Sequence, residues 1–210
     1  MLTAYEKEQL EKTIEKIEGQ TAGELVAVIT RMSDRYLYIP LLWSACAALA
    51  LPAFAVWQAP YMTFGNVYQV QVLIFIVLAM LLRWPPLLMP LVPKGVRTGR
   101  AARYARQMFV ELGLHDTQHR GGVMVFVSDA ERHVEIIADK GIAALVPQTV
   151  WQSILDDFVA DIRAGELANG YEKALQRCGA VLVQHMPARS RSEAFQRLPN
   201  AVVELDAPLD

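Results

Sequence analysis

The sequence predicts an α/β domain interrupted by an inserted pair of long apolar helices. Two short runs rich in β-branched residues, ELVAVIT at 24–30 and VMVFV at 123–127, read as strands buried on both faces. Stretches with apolar residues at helical spacing lie before, between and after them. The third observation is the chain from 36 to 82, which contains no Asp, Glu, Lys, Arg or His.

The first element is an amphipathic helix. Thr3 and Glu6 form a capping-box pattern, Leu10, Ile14 and Ile17 repeat at helical spacing, and Gly19 ends the run. The strand at 24–30 follows after Gly23. Its carboxyl end is where open α/β sheets usually hold their ligand crevice, and Asp34 follows it directly.

The uncharged stretch divides at a polar, glycine-containing turn at 58–66. At about 1.5 Å per residue, residues 37–57 are long enough for a bilayer core of about 30 Å. A second, shorter run covers 67–84. The two are expected to form a transmembrane helical hairpin within an inserted segment, 36–93, with Pro52 kinking its first helix. Tyr36, Tyr38, Trp57, Tyr68 and Trp84 sit at the ends, as an interfacial aromatic belt requires. Arg31 and Arg35 precede the hairpin, and Arg83, Lys94, Arg97, Arg100, Arg103 and Arg106 follow it. The positive-inside rule then places both termini in the cytoplasm of a multi-pass inner (plasma) membrane protein. Ser44, Gln69 and Gln71 are the polar positions through which such a hairpin would contact a partner helix.

Residues 84–93 (WPPLLMPLVP) hold too many prolines for a regular helix and read as an interfacial segment. Helical spacing returns at 98–112, with Ala102, Ala105, Phe109 and Leu112 inward. Arg97, Arg100, Arg103 and Arg106 line its start and are candidate contacts for lipid headgroups or other anions, worth about 1 kcal/mol each near a charged surface. A polar loop holding His115, Asp116 and His119 leads through Gly121 and Gly122 to the strand at 123–127. The turn at 129–132 and a third strand at 133–138 then complete a hairpin. Pro147 opens a helix with the stripe Val150, Trp151, Ile154, Leu155, Phe158 and Ile162. A last helix, about 168–184, buries Tyr171, Leu175, Cys178 and Leu182. The tail, 188–210, has no sustained period, although 201–205 has the composition to pair or dock.

Composition excludes several classes. A net charge of −2 argues against bulk nucleic-acid binding. The chain has 53% hydrophobic residues, much of it in the hairpin, which leaves enough mixed sequence for one further domain, 1–35 plus 94–187. Cys46 in the hairpin and Cys178 in the last helix are poorly placed for a mutual disulfide, in keeping with a reducing compartment. The charged, helical N-terminus does not read as a cleavable signal peptide.

Oxygen-rich sites favour Ca2+, Mg2+ or Mn2+. The carboxylates expected near strand ends are Asp129 and Asp139, then Asp116 and Glu131; a metal among them would activate water for phosphate-ester hydrolysis. Their spacing matches no compact metal loop, and turn carboxylates are common because they are well solvated. His115 and His119 read as surface histidines without a third ligand. No Walker loop, nucleophile elbow or Cys-x-x-Cys pair occurs.

The order FVELGL, GGVMVFVS and AERHVEIIADKGI, with AGELVAVIT before it and FVADIRAGELANGYEKAL after it, resembles the TPM domain family. The resemblance spans roughly 1–35 and 98–186. It implies an α/β/α sandwich with a small sheet, and links to acid phosphatase activity, divalent-metal binding and the assembly of membrane complexes. The inserted hairpin is similar to that of membrane-inserted members associated with LemA-type membrane proteins. Where the family pattern has Gly-Tyr-Gly after the third strand, this chain has Asp139, Lys140 and Gly141. The family's next Asp falls near Val146 or Pro147, which neither bind metal nor act as acids.

Three functions follow as expectations. The first is a membrane-anchored interaction module that binds or assists a membrane protein complex. The second is a metal-dependent phosphatase, with Asp129 and Asp139 as ligands and Arg97 or Arg100 gathering substrate. The third is a headgroup sensor built on the arginines.

Overall fold

The computed structural model describes residues 2–58, 63–117, 119–188 and 202–205. The chain forms two compact units, residues 1–33 with 99–210 and residues 34–98.

The first unit is built on a four-stranded sheet. Its strands are β1 (Glu24–Thr30), β2 (Gly122–Ser128), β3 (His133–Ala138) and β4 (Val202–Leu205), in spatial order β3-β2-β1-β4. β1 lies parallel to both β2 and β4, and β2 pairs antiparallel with β3. Strand alternation sends side chains to two cores. Leu25, Ala27, Ile29, Val123, Val125, Val127 and Val202 meet α1 (Ala4–Glu18), α7 (Gln148–Arg163) and α8 (Leu167–His185) through Leu10, Ile14, Trp151, Phe158 and Leu175. Val26, Val28, Met124 and Phe126 face the other way, onto Tyr104, Ala105, Met108 and Phe109 of α5 (Lys94–Glu111). Burial on both faces explains why the two central strands carry apolar runs without alternation.

Local signals set the boundaries. Thr3 and Glu6 close the capping box at α1, with the Thr3 amide donating to Glu6 at 2.7 Å. α5 ends at Gly113, whose φ of +72° is a conformation glycine adopts without strain. α5 starts at Lys94, one turn before the predicted 98, because Pro93 supplies the first carbonyl acceptors.

The second unit holds α2 (Tyr38–Gln58) and α3 (Phe64–Leu81), which pack against each other, then the short α4 (Pro85–Leu88) and a 3-10 turn at Met89–Leu91. The expected transmembrane hairpin is corrected here: among the described residues, no helix is long and apolar enough to cross a membrane. In α3, 18 residues long, the first two turns carry Gly65, Asn66, Gln69 and Gln71. Its continuous apolar part, residues 72–81, rises only about 15 Å, about half of a bilayer core. α2 is 21 residues long and carries Pro40, Ser44 and Pro52 within its apolar run. The fold is therefore mixed α/β with a small four-stranded sheet. The multi-pass inner-membrane location with both termini cytoplasmic rested on those spans and is corrected with them.

Candidate functional site

The carboxyl ends of β1 and β2 hold a buried polar cluster in the first unit. Thr30, Ser33, Ser128 and Glu131 are all buried there. The Ser33 amide donates to Glu131 Oε1 at 3.0 Å, and the Ser33 hydroxyl donates to Ser128 Oγ at 2.9 Å. Ser128 in turn donates its hydroxyl to Glu131 Oε2. Backbone bonds join the same two segments, from the Asp129 amide to the Thr30 carbonyl and from the Ala130 amide to the Arg31 carbonyl, both 3.0 Å. Parallel pairing brings Thr30 beside Ser128, and the tight turn after β2, with Arg132 at φ +51°, carries Glu131 back over the strand ends.

This cluster occupies the ligand-crevice end of the sheet, yet its geometry is that of a latch. Both Glu131 oxygens already accept hydrogen bonds from groups of the chain, and Asp129 is exposed beside it. Among the described residues, no group of three His, Cys, Asp or Glu side chains is arranged to hold a metal ion. The cluster does not fit a divalent cation, which takes several oxygen ligands, and no catalytic step follows through one.

The predicted ligands are kept apart by the strands. Asp129 follows β2 and Asp139 follows β3, and the antiparallel register pairs Ser128 with His133 at one end and Val123 with Ala138 at the other. The two carboxylates therefore flank opposite ends of a hairpin about 20 Å long and share no ion. Asp139 is buried at the start of α6 (Lys140–Ala143), where Oδ1 accepts the Lys140 amide at 2.7 Å. Its Oδ2 lies 3.9 Å from Arg120 and has no hydrogen-bond partner among the described residues. Asp116 is exposed in the 3-10 turn Leu114–Asp116. His115 and His119 are exposed as well.

Along α5, Arg103 and Arg106 are exposed, and Arg97 and Arg100 are half-buried. Within the second unit, Asp34 Oδ1 accepts the Tyr36 amide at 2.8 Å. Ser44 is buried in α2, with no hydrogen-bond partner for its hydroxyl among the described residues, Gln69 is exposed and Gln71 is half-buried. Sequence reasoning did not single out Ser33 or Ser128. No local pattern marks their burial or their meeting: Ser33 lies three residues past the end of β1, and Ser128 is the last residue of β2.

The second unit presents a different feature. Leu73, Ile76, Val77, Met80 and Leu81 of α3 are 47–73% exposed, and Leu41, Leu42, Leu49 and Leu51 of α2 are exposed as well. Contiguous exposed apolar surface of this kind marks interaction sites.

Residues 91–181 match the model of the TPM domain. The NMR structure of the BA42 protein from the psychrophilic bacterium Bizionia argentinensis sp. nov. is similar in fold, with a TM-score of 0.60 at 16% identity over 97% of this chain and 95% of that one. No curated protein matches the sequence.

Proposed function

We propose, on the footing that residues 91–181 match the TPM domain model, that the chain is an interaction module that binds an apolar helical partner. The observation that carries this reading is the exposed apolar surface of α2 and α3. Removing such surface from water is worth roughly 25 cal/mol per Å², so a complementary apolar helix gains by covering it. A helix of a membrane protein complex has that chemistry, and a LemA-type protein is the first such partner to try.

The deciding experiment replaces Leu73, Val77 and Met80, which share one face of α3, with Gln and measures what co-purifies with the full-length protein. The expected result is loss of the partner with the far-UV circular dichroism unchanged. An unchanged set of partners would refute the reading. Ser44, Gln69 and Gln71 are to be replaced in a parallel variant, since polar groups within apolar helices often make interhelical contacts.

The alternative reading, a phosphatase using Asp129 and Asp139, requires the two carboxylates to act apart, since they flank opposite ends of the β2–β3 hairpin. Its test is phosphate release from an aryl phosphate with Ca2+, Mg2+, Mn2+ or a chelator. Metal-dependent turnover lost in Asp129→Ala would favour the enzyme. Anionic headgroup binding through Arg103 and Arg106 is tested by comparing neutral and anionic vesicles at low salt.

A further inference from the structure

The outer edge of β1, the side away from β2, is closed by two separate devices. Along a parallel strand, backbone groups point alternately to the two neighbours. The Glu24 amide donates to the Gly121 carbonyl on the β2 side, so the amides of Leu25, Ala27, Ile29 and Arg31 point outward. The Leu25 amide is taken by the Glu18 carboxylate at 3.1 Å, a buried side chain at the end of α1. The Arg31 amide donates to the Leu205 carbonyl of β4 at 3.0 Å.

Glu18 thereby blocks the first part of the edge, and on this side residues 27–30 are the ones in register with a strand among the described residues. That neighbour is short and comes from the C-terminal tail. β4 has four residues against seven in β1, and among the described residues it is the outermost strand of the sheet. In the sequence Pro199 and Pro208 bracket it, and proline lacks the amide a ladder needs. Its side chains alternate: Val202 enters the core shared with α1, α7 and α8, while Val203 and Leu205 pack on the α5 side.

We propose that residues 27–30 of β1, with the Arg31 amide that follows them, form an acceptor edge for an extended segment of a partner protein, occupied in this chain by its own Val202–Leu205. The segment it takes runs parallel to β1, with apolar residues at its first, second and fourth positions and an acidic or polar residue at the third. Main-chain hydrogen bonds supply affinity, and the two cores read alternate side chains, as in strand addition generally. Glu18 sets the register by denying the Leu25 amide to the incoming strand. This surface is independent of the α2 and α3 surface.

Two measurements on the full-length protein test it. The first is native-state hydrogen exchange. The Arg31 amide, which faces β4, is expected to exchange at least about tenfold faster than that of Val28, which faces β2, because a replaceable strand opens without global unfolding. Equal exchange of the two through global unfolding overturns the proposal. The second uses the variant Val203→Asp with Leu205→Asp and a labelled peptide, NAVVELD, covering residues 200–206. The variant is expected to remain folded and to bind this peptide at least about tenfold more tightly than the wild type does, because the tethered competitor acts at an effective concentration near millimolar. A scrambled peptide is expected not to bind. A folded variant that does not bind NAVVELD overturns the proposal, and so does an unfolded variant, since a strand that holds the core together is not replaceable.

Discussion

The carboxylate of Glu131 accepts the backbone amide of Ser33 at 3.0 Å, across 98 positions of sequence. Ser33 is the last residue of the first unit before the chain enters the second. The bond, with that from Ser128, fixes the point at which the chain leaves the sheet.

Glu131→Ala is therefore expected to destabilise the first unit by about 2–3 kcal/mol, because it leaves the Ser33 amide and the Ser128 hydroxyl buried without an acceptor. Ser128→Ala, which removes the donor to Glu131 and the acceptor of the Ser33 hydroxyl but leaves the Ser33 amide bond intact, should cost about 1–2 kcal/mol. Urea unfolding followed by circular dichroism checks both. Equal, negligible losses would show that the latch carries no stability.

Tyr171 on α8 donates its hydroxyl to the Val28 carbonyl of β1 at 2.9 Å, and its ring packs edge-on against Phe158. Tyr171→Phe keeps the ring and removes the bond, so a loss of about 1 kcal/mol is expected. A similar urea titration with unchanged slope measures it.

Burial also raises the pKa of the Tyr171 hydroxyl well above its ordinary 10.0 and pushes the Cys178 thiol from 9.0 to about 12. Each group keeps its proton in the folded state at pH values where the unfolded chain releases it. Their contribution is thus complete below about pH 9 and is lost as pH rises, from 9 toward 12 for Cys178 and above 10 for Tyr171. Stability measured against pH should fall along that window, and Cys178→Ala should remove the portion that begins near pH 9.

The two thiols should differ in reactivity. Cys46 is exposed and Cys178 is buried, and the thiolate is the reactive form. A thiol reagent at pH 8 is expected to label Cys46 promptly and Cys178 only after denaturant is added. Prompt labelling of both would mean that α8 opens readily.

Gly122 begins β2 where a Cβ would lie 2.2 Å from the Leu114 carbonyl oxygen. The clashing atom is backbone and has little room to yield. Gly122→Ala should cost about 3 kcal/mol or more by overpacking, readable as a drop in thermal midpoint.

Much of the first unit was legible in sequence because the signals are local. The capping box, the stop at Gly113, the stripes of α7 and α8, and the third strand at 133–138 each depend on residues within a turn or two of one another. The inserted segment was misread as membrane-spanning because absence of charge was counted over the whole stretch. The interruptions by Gln69, Gln71, Pro40 and Pro52, which limit continuous apolar length, counted for less than they should. The site was legible only in part. Glu131 stood out as a turn carboxylate, but nothing local marks its partners Ser33 and Ser128 as buried or adjacent.

The sequence by itself determined the kinds of element in the first unit and the faces they bury, since periodicity is a property of neighbouring residues. The tertiary structure decided which ends meet. Antiparallel register carried Asp129 and Asp139 to opposite ends of one hairpin, parallel pairing set Thr30 beside Ser128, and the C-terminal Val202–Leu205 came to rest on β1. These are choices among distant partners, settled by backbone pairing and by the two cores together, and no window of the chain contains them.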